Sequence, residues 1–256
     1  MIFTLFLLTS LSLAENTASA EYTVPPLKEI VYEIPDTLLE SLKVSFSKEA
    51  ILPWAYIASS TAVLYKYDED ILLHTQRDGR KWGLGNKDNT ETLITVGNID
   101  VFRGPTDQGS LFYFLGDGWT HTAIAASLYT YGKYNENNRA TVTGMQIVHG
   151  MFSSTVFSQA LKRSTGRESP STRTEKRGNW DFFPSYSKYS ANTAKYDAFP
   201  SGHIMTATMT LTVINNNYPE YSHVILPVGI SLISLLSWQM VNNGVHWASD
   251  YPLGIA

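Results

Sequence analysis

The sequence contains no cysteine and few charged residues. Of its 256 residues, none is cysteine and only 16% are Asp, Glu, Lys or Arg. The absence of cysteine excludes disulfides, thiolate catalysis and cysteine-ligated zinc, and it suits a protein of an oxidising compartment. With 19 basic and 23 acidic residues, the formal net charge is −4. The chain therefore lacks the basic surface typical of nucleic-acid-binding proteins, and we expect no nucleic-acid partner.

Long apolar runs are also scarce. Only residues 224–241 approach the length of a membrane span without a charge, and Pro227 interrupts the start of that run. The mean hydropathy of the chain is −0.12. These values favour a soluble all-α protein whose central helix is buried on every side over an integral membrane protein.

The N-terminal region has the pattern of an export signal. Residues 2–14 carry no charge, and Ala18-Ser19-Ala20 has the small-residue pattern of a cleavage site. We therefore expect a signal peptide over residues 1–20 and a periplasmic or extracellular protein, although a positive n-region is missing. A buried N-terminal helix is the alternative.

The remainder divides into a lead-in and one domain. Residues 21–45 are rich in proline and acid, which predicts an extended or partly ordered segment. Residues 46–256 are long enough for one helical domain. Because the functional motifs run close to Ala256, we expect this domain to be truncated at its C-terminus.

Apolar periodicity predicts most of the helices, and so an all-α helical bundle. The state of residues 92–114 stays open because they mix β-branched residues and glycines. The stretch 166–198 has no helical periodicity and predicts a long loop, which forms either a wall of a site or an ordered surface segment. The predicted helices cover residues 50–67, 119–131, 139–162, 201–215 and 222–242.

Two histidines and a carboxylate dominate the second half of the chain. The run Pro200-Ser201-Gly202-His203 precedes an apolar segment, as at a helix N-terminus, where backbone N–H groups bind anions. His246 and Asp250 are four residues apart, so in a helix the carboxylate would reach one imidazole nitrogen and leave the other as a nucleophile. The alternative is a core histidine followed by a turn-capping aspartate.

These residues resemble the type 2 phosphatidic acid phosphatase and vanadium-dependent haloperoxidase superfamily. Its three blocks are Lys-x6-Arg-Pro, Pro-Ser-Gly-His and Ser-Arg-x5-His-x3-Asp. The middle block is intact here. The departures are Ser169 in the arginine position of the first block and Gln239 and Met240 in the Ser-Arg positions of the third.

The resemblance implies a helical bundle of the acid phosphatase and haloperoxidase type, and it implies roles for individual residues. His246 would attack phosphorus, Asp250 would orient it, and His203 would protonate the leaving group. Arg167, two residues before Ser169, could replace a missing arginine. The phosphate oxygens would be held without metal by Lys162, Arg167, the Ser201 hydroxyl and the Gly202 N–H. The alternative for Lys162 and Arg167 is a pair of solvated cations at a helix C-terminus.

The resulting hypothesis is an exported phosphatase that hydrolyses phosphomonoesters, with lipid and diphosphate substrates included, through a phosphohistidine intermediate. Its partner would be a phosphorylated small molecule or a lipid head group, and contact with a membrane surface stays open. No cofactor is expected. Two alternatives remain: a catalytically weakened anion-binding member, suggested by Ser169 and Met240, and a haloperoxidase in which vanadate is the cofactor and not an inhibitor.

Overall fold

A computed structural model describes residues 22–87, 89–97 and 99–256. The expected signal peptide, residues 1–20, lies outside this range. The described chain is predominantly α-helical and confirms the all-α bundle. Its elements are α1 Glu29–Tyr32, α2 Ile34–Ser45, α3 Ile51–Lys81, β1 Thr90–Val96, β2 Ile99–Pro105, α4 Gln108–Phe114, α5 Gly118–Tyr134, α6 Asn138–Thr165, α7 Tyr186–Ala191, α8 Gly202–Asn217, α9 Ser222–Asn242 and α10 Tyr251–Ile255.

The five predicted helices are present as α3, α5, α6, α8 and α9, but α3 is much longer than predicted. The prediction ended at residue 67 because the sequence then becomes charged, whereas the helix runs to Lys81. Its buried positions recur every three or four residues, or two turns apart, throughout the charged part, so one stripe faces the core while most of the charged side chains face outward. The stripe consists of Ile57, Leu64, Asp68, Leu72, Thr75 and Gly79.

The lead-in is helical where an extended segment was predicted. Pro35 lies in the first turn of α2, where the missing N–H has no intrahelical acceptor to lose. His149 of α6 then ties both short helices to the domain. Its Nδ1 donates to the carbonyl of Ile30 at 2.9 Å, and its Nε2 accepts the hydroxyl of Thr37 at 2.9 Å.

Strands β1 and β2 pair as a two-stranded antiparallel hairpin between α3 and α4. Its register pairs Thr90 with Pro105 and Val96 with Ile99, with an irregularity after Thr92. The glycines and β-branched residues that left this region open in the sequence are those of a hairpin.

The hydrophobic core lies between α3, α8, α9 and α10. Leu236 and Met240 of α9 and Ile204 of α8 are completely buried. The hydroxyl of Tyr251 on α10 donates to the carbonyl of Ser237 at 2.7 Å. Each large apolar side chain buried in this way contributes roughly 1.5–3 kcal/mol. Because α8 and α10 share this core, the segments that carry His203 and His246 are brought side by side.

Helix α6 packs against α5 on one side and α8 on the other. It ends at Gly166, whose φ of +55° is left-handed. Residues 166–198 are the predicted long loop, interrupted by α7 and by 3-10 turns at Pro170–Thr172 and Thr193–Lys195. A Cβ on Gly166 would lie 1.9 Å from the carbonyl oxygen of Asp181. Only glycine fits there.

Gly166→Ala should therefore destabilise the protein strongly. The left-handed backbone alone costs about 1–2 kcal/mol for alanine, and displacement of the Asp181 backbone adds to this. We expect the free energy of unfolding in urea to fall by more than about 2 kcal/mol. Gly83→Ala is the matched control, since Gly83 has φ +72° but nothing within 4 Å of its added Cβ. Equal losses in both variants would contradict the steric argument.

Candidate active site

The Pro-Ser-Gly-His segment forms the N-terminus of α8, as predicted. The Ser201 side chain caps the helix by accepting the N–H of Ile204 at 3.4 Å, and its own N–H donates to the carbonyl of Asp250 at 3.1 Å. Ser201 is completely buried. Gly202 is the first residue of the helix, so its N–H has no intrahelical acceptor.

A cavity of about 310 Å³ opens beside this helix end. Lys162 and Ser158 of α6 and Gly202 and His203 of α8 line it, and the segment before α5 closes one side. Three of the predicted site residues, Lys162, Gly202 and His203, therefore lie together. The full lining is Gly116, Asp117, Gly118, Ser154, Thr155, Ser158, Gln159, Lys162, Gly202, His203, Met205 and Thr206.

Lys162 is the cation of this lining. The residue is 7% exposed, and its Nζ lies 3.6 Å from Oδ2 of Asp197. A Cβ on Gly202 would lie 3.9 Å from that Nζ and 3.3 Å from the Ser158 hydroxyl. Glycine at this position therefore leaves room for an anion between the lysine and the helix end.

His246 lies deeper, beside His203. The two ring centroids are 6.3 Å apart. His246 Nδ1 is 2.7 Å from the carbonyl oxygen of Ala198 and 3.4 Å from Oδ2 of Asp250. A carbonyl oxygen can only accept, so the ring proton belongs on Nδ1 and Nε2 keeps its lone pair. Nε2 is thus the nitrogen available as a nucleophile.

The proximity of His246 and Asp250 does not come from an α-helix. Trp247 is extended, and a 3-10 turn follows over Ala248–Asp250. Oδ2 of Asp250 accepts the Trp247 N–H at 2.7 Å. This turn brings the carboxylate back toward the imidazole. The sequence predicted the contact but assigned it to the wrong local structure.

Arg167 does not line the cavity. Its guanidinium is completely buried, with Nη2 2.8 Å from Oδ2 of Asp68 and Nη1 2.5 Å from Oδ1 of Asp250. The role predicted for it was contact with phosphate oxygens. The structure instead places it between two carboxylates, which would be costly to bury without a counter-charge. The solvated alternative fails for the same reason.

The two positions where the family pattern has arginine are also buried. Met240 is part of the hydrophobic core, with 0% exposure, and Ser169 is 2% exposed. Two residues that the sequence reasoning missed lie close to the predicted ones. Ser158 precedes Lys162 by one helical turn, so its spacing could have indicated it. Asp68 carries a weaker signal, a carboxylate within the apolar stripe of α3.

A third histidine lies near the site. His121 of α5 is 4% exposed, so it is buried and not on the surface. Burial lowers its pKa to about 4. The pKa of His203 is lowered to about 3, first by burial and then by the neighbouring His246, Lys162 and His121. In the empty site His203 is therefore neutral. Asp117, which also lines the cavity, caps α5 by accepting the Trp119 N–H at 2.8 Å.

Comparison with known protein families gives a match to the part of the chain that carries this site. The family model of the PAP2 superfamily matches residues 143–256. This match supports membership of the PAP2 superfamily, the type 2 phosphatidic acid phosphatase superfamily. The matched region carries all of the predicted site residues and lacks α3 with Asp68. Searches of the curated proteins and of the solved structures found no match. PAP2 members are generally phosphatases, so the membership supports phosphatase-type activity.

PAP2 proteins are often membrane-associated. In the described part of the chain, one helical stretch, Pro219–Asn242, is long and apolar enough to cross a membrane, with a mean hydropathy of 1.9. It contains α9, whose inner face forms much of the core. Length and composition alone do not distinguish a spanning helix from a core helix of this kind.

A larger and more open depression of about 640 Å³ follows one face of α2. Glu33, Asp36 and Glu40 are among its lining residues, and no histidine or cation lines it. We assign it no chemistry.

The buried histidines should make the protein less stable in acid. Both lowered pKa values lie below the ordinary value of 6.5, so between about pH 6.5 and pH 4 the unfolded chain binds more protons than the folded one, and stability falls as the pH falls. His121→Phe should reduce this loss by on the order of 2 kcal/mol at pH 5. The measurement is urea unfolding from pH 4.5 to 7.5.

The control for this prediction is His223→Phe, which replaces an exposed histidine. It should leave the pH dependence as it is in the wild type. A His121→Phe protein that loses stability in acid as steeply as the wild type would contradict the prediction.

Proposed function

We propose that this protein is an exported phosphatase that hydrolyses phosphomonoesters through a phosphohistidine at Nε2 of His246. The observation that carries the proposal is the set of contacts at Nδ1 of His246. The Ala198 carbonyl at 2.7 Å and the Asp250 carboxylate at 3.4 Å hold the proton on that nitrogen and leave Nε2 as the nucleophile.

Substrate binding would rest on the helix end and one lysine. The N–H of Gly202 and the positive end of the α8 dipole attract an anion, and Lys162 Nζ reaches the same space. Asp197 holds this lysine at 3.6 Å, so a phosphate with two negative charges would have to share the ammonium group with a carboxylate.

In the first chemical step, Nε2 of His246 donates its lone pair to phosphorus while the bond to the leaving oxygen breaks in line with it. His203 donates a proton to that oxygen, and the product alcohol departs. The phosphohistidine ring then carries a positive charge, which the Asp250 carboxylate offsets. In the second step His203 takes a proton from water, the water oxygen attacks phosphorus, and phosphate leaves with His246 restored.

His203 must be protonated to act as the acid in the first step. Its pKa is about 3 in the empty site, but a bound phosphate brings negative charge next to the ring and raises the pKa. Substrate binding and protonation are therefore coupled. This coupling favours activity on the acidic side of neutrality.

Export is supported by the pattern of residues 1–20 and by the absence of cysteine. The lining of the cavity is compatible with more than one kind of leaving group. Hydroxyl, amide and carboxylate side chains line the cavity around His203, and a phosphorylated small molecule and a lipid head group both present polar groups of this kind.

A second candidate function is anion binding with little turnover. It is favoured by Met240, which places a thioether in the core where the family pattern has a phosphate-binding guanidinium. A vanadate-dependent haloperoxidase is the third alternative. The same missing guanidinium groups would weaken the capture of vanadate, whose charge they would balance.

Replacement of the nucleophile tests the first proposal. His246→Ala should reduce phosphate release from p-nitrophenyl phosphate to background between pH 4.5 and 7.5 in the presence of excess chelator, because the variant lacks the nitrogen that would accept the phosphoryl group. His223→Ala, an exposed histidine, is the control and should keep the full rate. Retention of the wild-type rate by His246→Ala would refute the mechanism. A wild type that binds phosphate without turnover would favour the anion-binding alternative.

Replacement of the lysine tests the binding step. Lys162→Met keeps the length of the side chain and removes its charge, so inorganic phosphate should inhibit or bind about tenfold more weakly or worse. Arg163→Met is the matched control, because Arg163 is the next residue on α6, is exposed and lies outside the cavity lining. Equal weakening in both variants would mean that general surface charge, and not the Lys162 contact, attracts the anion.

A further inference from the structure

A buried ion network lies behind His246, and two of its members, Asp68 and Arg167, have no role in the proposed reaction. It consists of Asp68, Arg167 and Asp250, all at most 1% exposed. Arg167 bridges the two carboxylates at 2.8 and 2.5 Å. Asp68 belongs to α3, outside the region that matches the PAP2 superfamily.

Ser249 fixes the orientation of this network. Its hydroxyl has one proton, which it donates to Oδ2 of Asp68 at 2.6 Å, while its lone pair accepts Nη1 of Arg167 at 2.7 Å. Its N–H donates to Oδ1 of Asp68 at 3.0 Å. Each of these groups donates a hydrogen bond to Asp68. Burial still raises the pKa of Asp68, although Arg167 and Ser249 act in the opposite direction.

Arg167 holds both acceptors of the His246 proton. Its side chain binds the carboxylate of Asp250, and its backbone carbonyl accepts the N–H of Ala198 at 3.0 Å. The carbonyl of the same residue, Ala198, accepts the Nδ1 proton of His246 at 2.7 Å. One residue therefore determines the position of the two groups that orient the imidazole.

Aromatic rings prevent Arg167 from turning toward the cavity. The centroids of Tyr65, Trp180 and Trp247 lie 5.1, 5.0 and 5.4 Å from its guanidinium carbon. Leaving this enclosure would cost the cation–π contacts and both ion pairs, and would leave two buried carboxylates without a counter-ion.

The charges of the network suit the proposed intermediate. Two carboxylates and one guanidinium leave a net charge of −1 beside a neutral imidazole. When His246 becomes a phosphohistidine, its ring is positively charged. The charges of this ring, the two carboxylates and the guanidinium then sum to zero, apart from those of the phosphoryl group.

We propose that Asp68 and Arg167 are positioning residues for His246. They hold Asp250 and Ala198 on the Nδ1 side of the ring and supply the negative charge that balances it when Nε2 forms a bond. This inference rests on the proposed nucleophilic role of His246, and it assigns to α3 a part in the chemistry.

Two oxyanions, used as probes, distinguish an effect on the position of His246 from an effect on anion binding in the cavity. Inorganic phosphate makes contacts only with the cavity, whereas vanadate can also accept the lone pair of Nε2 in a trigonal bipyramidal adduct. The experiment is calorimetric titration of wild type and Asp68→Asn with each anion. Asp68→Asn should bind vanadate at least tenfold more weakly and phosphate within twofold of wild type. With p-nitrophenyl phosphate, kcat should fall at least tenfold with KM within twofold.

Leu72→Ala is the matched control, since Leu72 lies one turn after Asp68 on α3 and is 1% exposed. It should lower the unfolding temperature while leaving the ratio of vanadate to phosphate affinity unchanged. Should Asp68→Asn not fold, Ser249→Ala replaces it, because this variant removes two hydrogen bonds of the network and leaves its ion pairs. It should shift the ratio in the same direction by a smaller factor.

Three results would overturn the inference: equal losses of phosphate and vanadate affinity in Asp68→Asn, no change in either, or the same change of ratio in Leu72→Ala. A wild type that binds vanadate no more tightly than phosphate would overturn it as well. A wild type that prefers vanadate but releases no phosphate from the ester would refute the proposed function alone, and the affinity ratios would still test the network.

Discussion

The carboxylate of Asp250 and its ion pair with Arg167 connect nearly every part of the site. The side chain of Asp250 contacts Arg167, the Trp247 N–H and His246. Its backbone carbonyl accepts the N–H of Ser201, the residue that caps α8. The proposed nucleophile, the proposed leaving-group acid and the helix end proposed to bind the anion are therefore all linked to Asp250. A buried ion pair of this kind contributes little net stability, but it restricts the site to one arrangement.

The cations available to bind phosphate differ from those that the family pattern implies. A guanidinium clamps phosphate with two parallel hydrogen bonds, and an ammonium group acts as a point charge. Here the family's arginine positions hold Ser169 and the core residue Met240, while Arg167 is committed to carboxylates. In the proposed function, phosphate recognition would depend on Lys162 and on the dipole of α8, which are less selective for geometry than a guanidinium. Such a site would select its ligand by charge more than by shape.

Short-range features of the site could be predicted from the sequence, and long-range ones could not. The cap at Ser201, the lysine of α6 and the His246–Asp250 contact arise from residues a few positions apart, where spacing limits the geometry. Arg167 was misassigned because its partner Asp68 is 99 positions away, beyond the reach of any local pattern. The length of α3 and the helical lead-in were missed for a related reason: packing against the domain, and not local composition, determines their structure.

The position of Asp68 on α3 also bears on the size of the smallest unit that can fold and act. The matched region begins at residue 143. A fragment starting there would leave Arg167 with one carboxylate in place of two, would remove Leu72 from the core, and would expose the buried side of Ser249 to water. The candidate motifs all lie within the matched region, but the electrostatic balance around them is completed by a helix from the other half of the chain. The region that matches the family is therefore shorter than the structural unit that completes the candidate site.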